Sequence, residues 1–172
     1  MITSALPSSS SISPRHAASH SLAVAVVVFR SDHAWLARTL ASLSAAITHA
    51  IDHGLLHAAN VTVVDNDAQS TADAAQQLQQ LVDDAFSCDS RQLTTPTSAH
   101  ITHITHDIVR PLSNRGYGAG NNCALLHSTS DYVLVLNPDV AMAPASLANA
   151  INYLAQHVAC GMVDTSGNVS RW

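Results

Sequence analysis

The chain has 172 residues, of which 47% are hydrophobic and 11% charged, with a net charge of −5, which indicates one globular domain with a substantial core. This composition excludes a charge-rich disordered chain and a coiled coil, and because there is no basic stripe we expect no binding to nucleic acid. All seven cations are arginine and all twelve anions are aspartate, which excludes chemistry that depends on lysine or glutamate.

Residues 1–20 are rich in serine and proline and are predicted to form a disordered tail, whereas residues 21–172 form the folded domain. In the folded part, apolar runs typical of buried strands alternate with segments of helical spacing. The first predicted elements are a strand at 22–29, a helix capped by Asp32, a strand at 61–65 and a helix opened by the capping-box-like segment Ser70–Asp73. The later ones are a strand at 100–109, a glycine-rich loop at 111–120, a short helix at 121–127, a buried strand at 132–136, a helix with Pro144 in its first turn, and a strand at 160–163.

This alternation predicts an α/β fold, with an open, mostly parallel sheet and helices on both faces. We expect the third, second, first and fourth strands to lie side by side in that order. Ligands of such sheets bind beyond the carboxyl ends of the strands. Three polar clusters follow predicted strands, at residues 29–32, 65–67 and 137–139, and the glycine-rich loop is expected at the same edge. Asp65 and Asp139 are therefore expected to face one shared cleft.

Asp65 ends the second strand, in the segment Val63-Val-Asp-Asn66. At that place in a nucleotide-binding sheet, a carboxylate can accept hydrogen bonds from a ribose or a base. The same residue would also suit a helix cap or an Asx turn at the strand exit.

The segment Asn114-Arg-Gly-Tyr-Gly-Ala-Gly-Asn-Asn122 holds three of the six glycines. Glycines let the backbone approach a diphosphate closely, and free N–H groups at a helix start attract anions. The spacing is not that of a dinucleotide-binding fingerprint. An ordinary flexible turn is the alternative interpretation.

Asn137-Pro-Asp139 follows the strand at 132–136 and places an amide and a carboxylate two residues apart. Mg²⁺ and Mn²⁺ prefer oxygen ligands and are often held by one or two carboxylates together with substrate phosphates. Asn-Pro-Asp is also common turn chemistry, so a simple turn remains open.

Together, four segments resemble the amino-terminal, nucleotide-binding part of a family 2 glycosyltransferase of the GT-A fold, closest to bacterial rhamnosyltransferase-like members. The resemblance covers roughly residues 22–172. It rests on Val24-Ala-Val-Val-Val-Phe-Arg-Ser-Asp32, Val63-Val-Asp-Asn66, Asn114-Arg-Gly-Tyr-Gly-Ala-Gly-Asn-Asn122 and Val133-Leu-Val-Leu-Asn-Pro-Asp139.

The resemblance implies a role for each candidate residue. Phe29 would lie against the base, with Arg30 beside it, and Asp65 would contact the base or the ribose. The loop around the nucleotide diphosphate would be lined by Asn114, Gly116, Gly118 and Asn121, and Asn137 would bind the nucleotide-sugar from the first position of the family's DxD motif. Asp139 would hold a divalent metal, Mg²⁺ or Mn²⁺, on that diphosphate.

Three positions depart from the family pattern: Phe29-Arg30-Ser31 in the first motif, Asp67-Ala68 after Asp-Asn, and Asn137 at the first acidic position of the metal motif. Family members continue beyond this length with an acceptor site and a catalytic aspartate or glutamate, the base that deprotonates the acceptor hydroxyl. We therefore expect a truncated, donor-binding half with no assignable catalytic base, which binds its donor without efficient transfer.

The implied partners are a nucleotide-diphospho-sugar donor, with dTDP-rhamnose as one candidate, and a glycan or lipid-linked acceptor in polysaccharide biosynthesis. The implied location is cytoplasmic, with peripheral association at the inner face of the membrane. Two alternatives remain open: a catalytically silent nucleotide-binding module, and an unrelated doubly wound nucleotide-binding domain.

Overall fold

The computed structural model describes residues 19–87, 103–157, 160–163 and 169–171. Within these ranges, strands and helices alternate along most of the chain. The strands are β1 (His20–Val28), β2 (Leu56–Asp65), β3 (His103–Val109), β4 (Tyr132–Leu136), β5 (Cys160–Val163) and β6 (Val169–Arg171). The helices are α1 (His33–Asp52), α2 (Ala72–Phe86), α3 (Tyr117–Leu125) and α4 (Ser146–Gln156).

Four strands form one parallel sheet in the order β3-β2-β1-β4, which confirms the predicted order. Val28 at the end of β1 is in register with Asp65 on β2, and Val26 with Leu136 on β4. The carboxyl ends of these three strands therefore lie along one edge. Strands β5 and β6 form a separate antiparallel pair.

Every second side chain of β1 packs in the main core, on the face of the sheet that α1, α2 and α4 cover. These side chains are Leu22, Val24, Val26 and Val28. The apolar stripe of α1 meets them, with Leu36, Leu40, Leu43 and Ile47 no more than 1% exposed. Full burial of such a side chain stabilises a fold by about 1.5–3 kcal/mol. Asp32 caps α1 as predicted, because its Oδ1 accepts hydrogen bonds from the backbone N–H groups of Ala34 and Trp35.

The opposite face of β1 and β2 packs against α3. Gly120 of α3 lies so close to β1 that a Cβ at this position would come within 2.9 Å of the Val27 side chain. Helices therefore cover both faces of the sheet, as expected.

Helix α3 begins at Tyr117, not at residue 121 as the sequence predicted. Gly116 precedes it with a φ of +88°, a backbone conformation that favours glycine, and turns the chain into the helix. Gly118 and Gly120 are therefore helical residues and not part of a loop. Their low intrinsic helix propensity is overridden by packing against the sheet.

The strand at 132–136 was predicted to be buried, but among its residues only Leu136 is buried, at 4% exposure. Val133 and Val135 are about half exposed, at 53% and 47%. They are in register with Ala23 and Ala25, on the face of the sheet where α3 packs against β1 and β2.

Other element boundaries shift by a few residues. Thr71 and not Ser70 caps α2, since its hydroxyl accepts from the N–H of Ala74, and α4 begins two residues after Pro144. β2 begins at Leu56, earlier than predicted. The predictions for residues 1–18 of the tail and for residues 100–102 of the third strand lie outside the described residues.

Candidate functional site

Asp65 is only 5% exposed at the carboxyl end of β2. Its Oδ1 accepts from the N–H of Asp67 at 3.3 Å, the Asx-turn contact that was the alternative interpretation. Its Oδ2 has no aligned hydrogen bond and lies 3.4 Å from Nε of Arg110, which follows β3. This carboxylate oxygen is therefore buried beside a guanidinium group and lacks a well-aligned donor.

Arg30 lies two residues after the end of β1 and has a φ of +50°, a backbone conformation that is uncommon for a residue other than glycine. Its Nε donates to Oδ2 of Asp67 at 2.9 Å, and its guanidinium carbon lies 5.2 Å from the centre of the Phe29 ring. The hydrogen bond from Arg30 is the main cause that holds the pKa of Asp67 below its ordinary value of 3.8, with the N–H of Gln69 contributing further. Phe29 itself is 48% exposed, so a planar ligand can reach its ring.

A cavity of about 260 Å³ opens between the ends of β1 and β2 and the start of α2. Arg30, Ser31, Asp65 and Asp67 contribute to its lining. We name it the β2-side cavity. It brings together two of the predicted nucleotide-binding residues, Arg30 and Asp65.

The glycine-rich segment is tied to the end of β2 by Asn66, which is 4% exposed. Nδ2 of Asn66 donates to Oδ1 of Asn114 at 2.9 Å and lies 3.4 Å from the carbonyl oxygen of Gly116. Oδ1 of Asn114 also accepts from the N–H of Gly116 at 2.8 Å. These contacts fix the backbone immediately before α3.

The amino terminus of α3 has no side-chain cap. The N–H groups of its first turn have no partner inside the helix, so the partial positive charge of this end is available to an anion. A Cβ at Gly118 would meet nothing within 4 Å, so a ligand can approach the backbone there. Both features suit the phosphate role expected of Gly118, whereas the N–H of Gly116 already donates to Oδ1 of Asn114.

Tyr117 ties the same helix to the Asn-Pro-Asp turn after β4. Its hydroxyl donates to Oδ1 of Asn137 at 2.6 Å. Because the amide oxygen is occupied, Asn137 has its amide N–H groups left for a ligand. The glycine-rich segment is thus hydrogen-bonded to the ends of both β2 and β4.

Asp139 is exposed, and no hydrogen bond or ion pair of its carboxylate occurs within the described ranges. It lines a second cavity of about 490 Å³ with Ser31, Asp32, Trp35 and Pro138, which we name the β4-side cavity. Ser31 borders both cavities. Asp65 and Asp139 therefore line two adjoining cavities that meet at Ser31, along one edge of the sheet.

Asn121 lies in α3 at 8% exposure, with no hydrogen-bond partner for its Oδ1. An unpaired carbonyl oxygen suits an N–H or O–H donor and does not suit a phosphate oxygen. A contact with diphosphate would have to come from its Nδ2, and this role stays a prediction.

The family model for glycosyl transferase family 2 matches residues 23–172. The chain belongs to glycosyl transferase family 2. No curated protein matches it. The parallel sheet with helices on both faces agrees with the Rossmann-like GT-A architecture of this family.

The side chains that could bind a metal ion are few in this site. No group of three or more His, Cys, Asp or Glu side chains that could hold one occurs in the described parts of the chain. Mg²⁺ is commonly held by one or two carboxylates plus substrate phosphates, and the unpaired Asp139 fits that mode as a single protein ligand.

Among the residues around this candidate site, Asn66, Arg110 and Tyr117 were not singled out from the sequence. Asn66 directly follows Asp65, and Arg110 directly follows β3, so position at a strand end was a usable signal for both. No local signal marks the hydrogen bond of Tyr117, because its partner is 20 residues away.

In the described residues, no helix is long and apolar enough to cross a bilayer.

Proposed function

We propose that this family 2 chain binds a nucleotide-diphospho-sugar along the carboxyl edge of its sheet and serves sugar transfer to a glycan or lipid-linked acceptor. The observation that carries the proposal is the pair of links from the glycine-rich segment, through Asn66 to β2 and through Tyr117 to β4. These links preorganise three segments along one edge, which lowers the cost of ordering them around a ligand.

The nucleoside would occupy the β2-side cavity. Oδ2 of Asp65 faces Arg110 without an aligned hydrogen bond, so after a small shift of these side chains it would accept from a base N–H or a ribose hydroxyl, but not from a diphosphate. Phe29 is not part of the lining of this cavity, and its exposed ring would stack on a base that extends beyond it. Arg30 would position this ring and hold Asp67 in its ionised form.

The diphosphate would lie between the start of α3 and the Asn-Pro-Asp turn. Backbone N–H groups at Gly118 and the amide of Asn137 would donate to phosphate oxygens, with Asn114 and Gly116 shaping the turn. Asp139 would hold a Mg²⁺ or Mn²⁺ ion, which neutralises the charge of a leaving diphosphate. Asn121 would support the same region through its amide nitrogen.

The donor and the location are proposed from the resemblance of the sequence alone. dTDP-rhamnose is the donor to test first, and synthesis of a polysaccharide at the inner face of the membrane is the proposed setting. A peripheral contact with the membrane would bring the site to a lipid-linked acceptor.

Calorimetric titration with UDP and dTDP, with and without Mn²⁺, tests the proposal. We expect Mn²⁺ to tighten binding to the wild-type chain and not to Asp139→Asn, which removes the charge of the proposed ligand. Asp52→Asn is the matched control, since Asp52 is exposed at the far end of α1. Absence of nucleotide binding, or unchanged metal dependence in Asp139→Asn, would contradict the proposal.

A further inference from the structure

The β4-side cavity contains a tryptophan to which the proposed function gives no role. The cavity lies between the first turn of α1 and the turn after β4, and Trp35 and Pro138 form its apolar wall. Its other lining groups are the Ser31 hydroxyl and the carboxylates of Asp32 and Asp139. At about 490 Å³, it lies within the size range of small-molecule sites.

Trp35 is exposed but held in place. Its side chain is 49% exposed, while its backbone N–H donates to Oδ1 of Asp32 at 3.0 Å within the helix cap. The guanidinium carbon of Arg38, one turn later, lies 4.5 Å from the centre of the indole ring. A cation over an aromatic face is attracted to its π electrons, which restrains the side chain.

The wall and rim of this cavity match a sugar ring. A pyranose presents C–H groups on one face and hydroxyls around its edge. The C–H face can pack on an indole, whose π face is electron-rich, while the hydroxyls donate to carboxylates. Asp139 has an unpaired carboxylate within the described ranges, and Asp32 uses only Oδ1 in capping α1.

We infer that the β4-side cavity is a sugar subsite in which Trp35 is the stacking surface. The inference rests on the proposed function in one respect, since it takes the nucleoside to occupy the β2-side cavity. Ser31 borders both cavities, so a ligand that crosses it passes from Asp65 toward Asp139 and Trp35. The sugar has two possible sources, the donor and the acceptor.

The test compares Trp35→Ala and Trp35→Phe with the wild-type chain, in two arms. The donor arm measures calorimetric affinity for dTDP-rhamnose against dTDP, and for UDP-glucose against UDP, with Mn²⁺ present. The acceptor arm measures saturation-transfer NMR of the ring protons of methyl rhamnoside and methyl glucoside. Tyr153→Ala is the matched control, because Tyr153 is a partly exposed aromatic residue stacked on His157 in α4.

For a donor sugar, Trp35→Ala weakens nucleotide-sugar binding about five- to tenfold, the size of one aromatic contact, and leaves the free nucleotide within about twofold. For an acceptor sugar, the saturation signal of the glycosides is lost in Trp35→Ala instead. Trp35→Phe and Tyr153→Ala retain binding in both cases.

The inference is overturned if Trp35→Ala changes neither arm, or if it weakens free nucleotide as much as nucleotide-sugar. Failure of the proposed function looks different, because the wild-type chain then binds neither UDP nor dTDP. In that event the saturation-transfer measurement with the methyl glycosides tests the subsite. A glycoside signal that Trp35→Ala abolishes supports the subsite, and the absence of any glycoside signal with the wild-type chain overturns it.

Discussion

Two side chains, Asn66 and Tyr117, hold the glycine-rich segment at opposite ends of the site. Asn66 is buried and its amide satisfies two acceptors, whereas Tyr117 is 45% exposed and makes one hydrogen bond. Loss of the Asn66 amide would remove one of the two hydrogen bonds to Oδ1 of Asn114, and with it the link between β2 and the segment before α3. Loss of the Tyr117 hydroxyl affects only the orientation of Asn137, so Tyr117 is the better residue with which to examine binding separately from stability.

We expect Tyr117→Phe to weaken binding of dTDP or UDP by about two- to tenfold, the equivalent of one hydrogen bond of about 0.5–1.5 kcal/mol. The physical reason is that the amide of Asn137 is no longer held with its N–H groups toward the ligand. Calorimetric titration measures the affinity, and an unchanged melting temperature shows that the fold is intact. Tyr153→Phe, far from the edge, should bind as the wild-type chain does, and equal affinities of Tyr117→Phe and the wild type would contradict the assigned role.

The Arg30–Asp67 pair gives a prediction about pH. The pKa of Asp67 is lowered in the folded chain, so its ionised form contributes stability above the unfolded value of 3.8, and this is lost as pH falls through the lower, folded value. In Arg30→Gln, the midpoint of the Asp67 carboxyl titration followed by NMR should rise toward 3.8. Asp83, whose pKa is lowered mainly by the hydrogen bond from Gln79 and then by His106, is the internal control and should not move.

Among the elements, α3 is placed by two glycines with different tasks. Gly116 supplies the left-handed backbone before the helix, and Gly120 allows the helix to approach β1 closely. The first sets the direction in which the helix amino terminus points, and the second sets its distance from the sheet. Gly118 has neither constraint, since it faces open space with an ordinary φ.

We therefore expect opposite effects from two alanine substitutions in the same helix. Gly120→Ala should destabilise the chain by about 1–3 kcal/mol, because its Cβ would overlap the Val27 side chain at 2.9 Å. Gly118→Ala should be neutral or stabilise it by up to about 1 kcal/mol, since alanine is the better helix former. Urea unfolding measures both values. Equal destabilisation by the two substitutions would show that α3 does not pack on β1 in this way.

At the scale of the whole molecule, the sheet order and the position of most elements follow from the sequence. Val-rich runs such as residues 22–28 and helical stripes such as that of α1 are local patterns, and crossover rules then limit the topology. The start of α3 was not predicted, because three glycines indicate a loop unless packing against Val27 is known. The links from Asn66 to Asn114 and from Tyr117 to Asn137 span 48 and 20 residues, so no local pattern contains them.

Binding at the edge should stabilise the whole chain by mass action. At a nucleotide concentration of about 100 times Kd, the gain is about 2.7 kcal/mol, or roughly 5–10 °C in melting temperature for a domain of this size. Differential scanning calorimetry with dTDP and Mn²⁺ measures the shift. Asp65→Asn should reduce it, because a neutral amide replaces the carboxylate proposed to contact the nucleoside and removes the charge that faces Arg110. An identical shift in Asp65→Asn would exclude Asp65 from the site.

The position of β1 between β2 and β4 has a consequence for amide hydrogen exchange. Residues 23–28 of β1 are at most 4% exposed, and the strand is paired on both sides, so its amides exchange only when the whole sheet opens. In the described sheet, β4 is paired with β1 alone and is half exposed, so its amides exchange through smaller and more frequent openings. A nucleotide that joins the ends of β2 and β4 should therefore slow exchange far more in β4 than in β1, which makes residues 132–136 the reporter of an occupied edge.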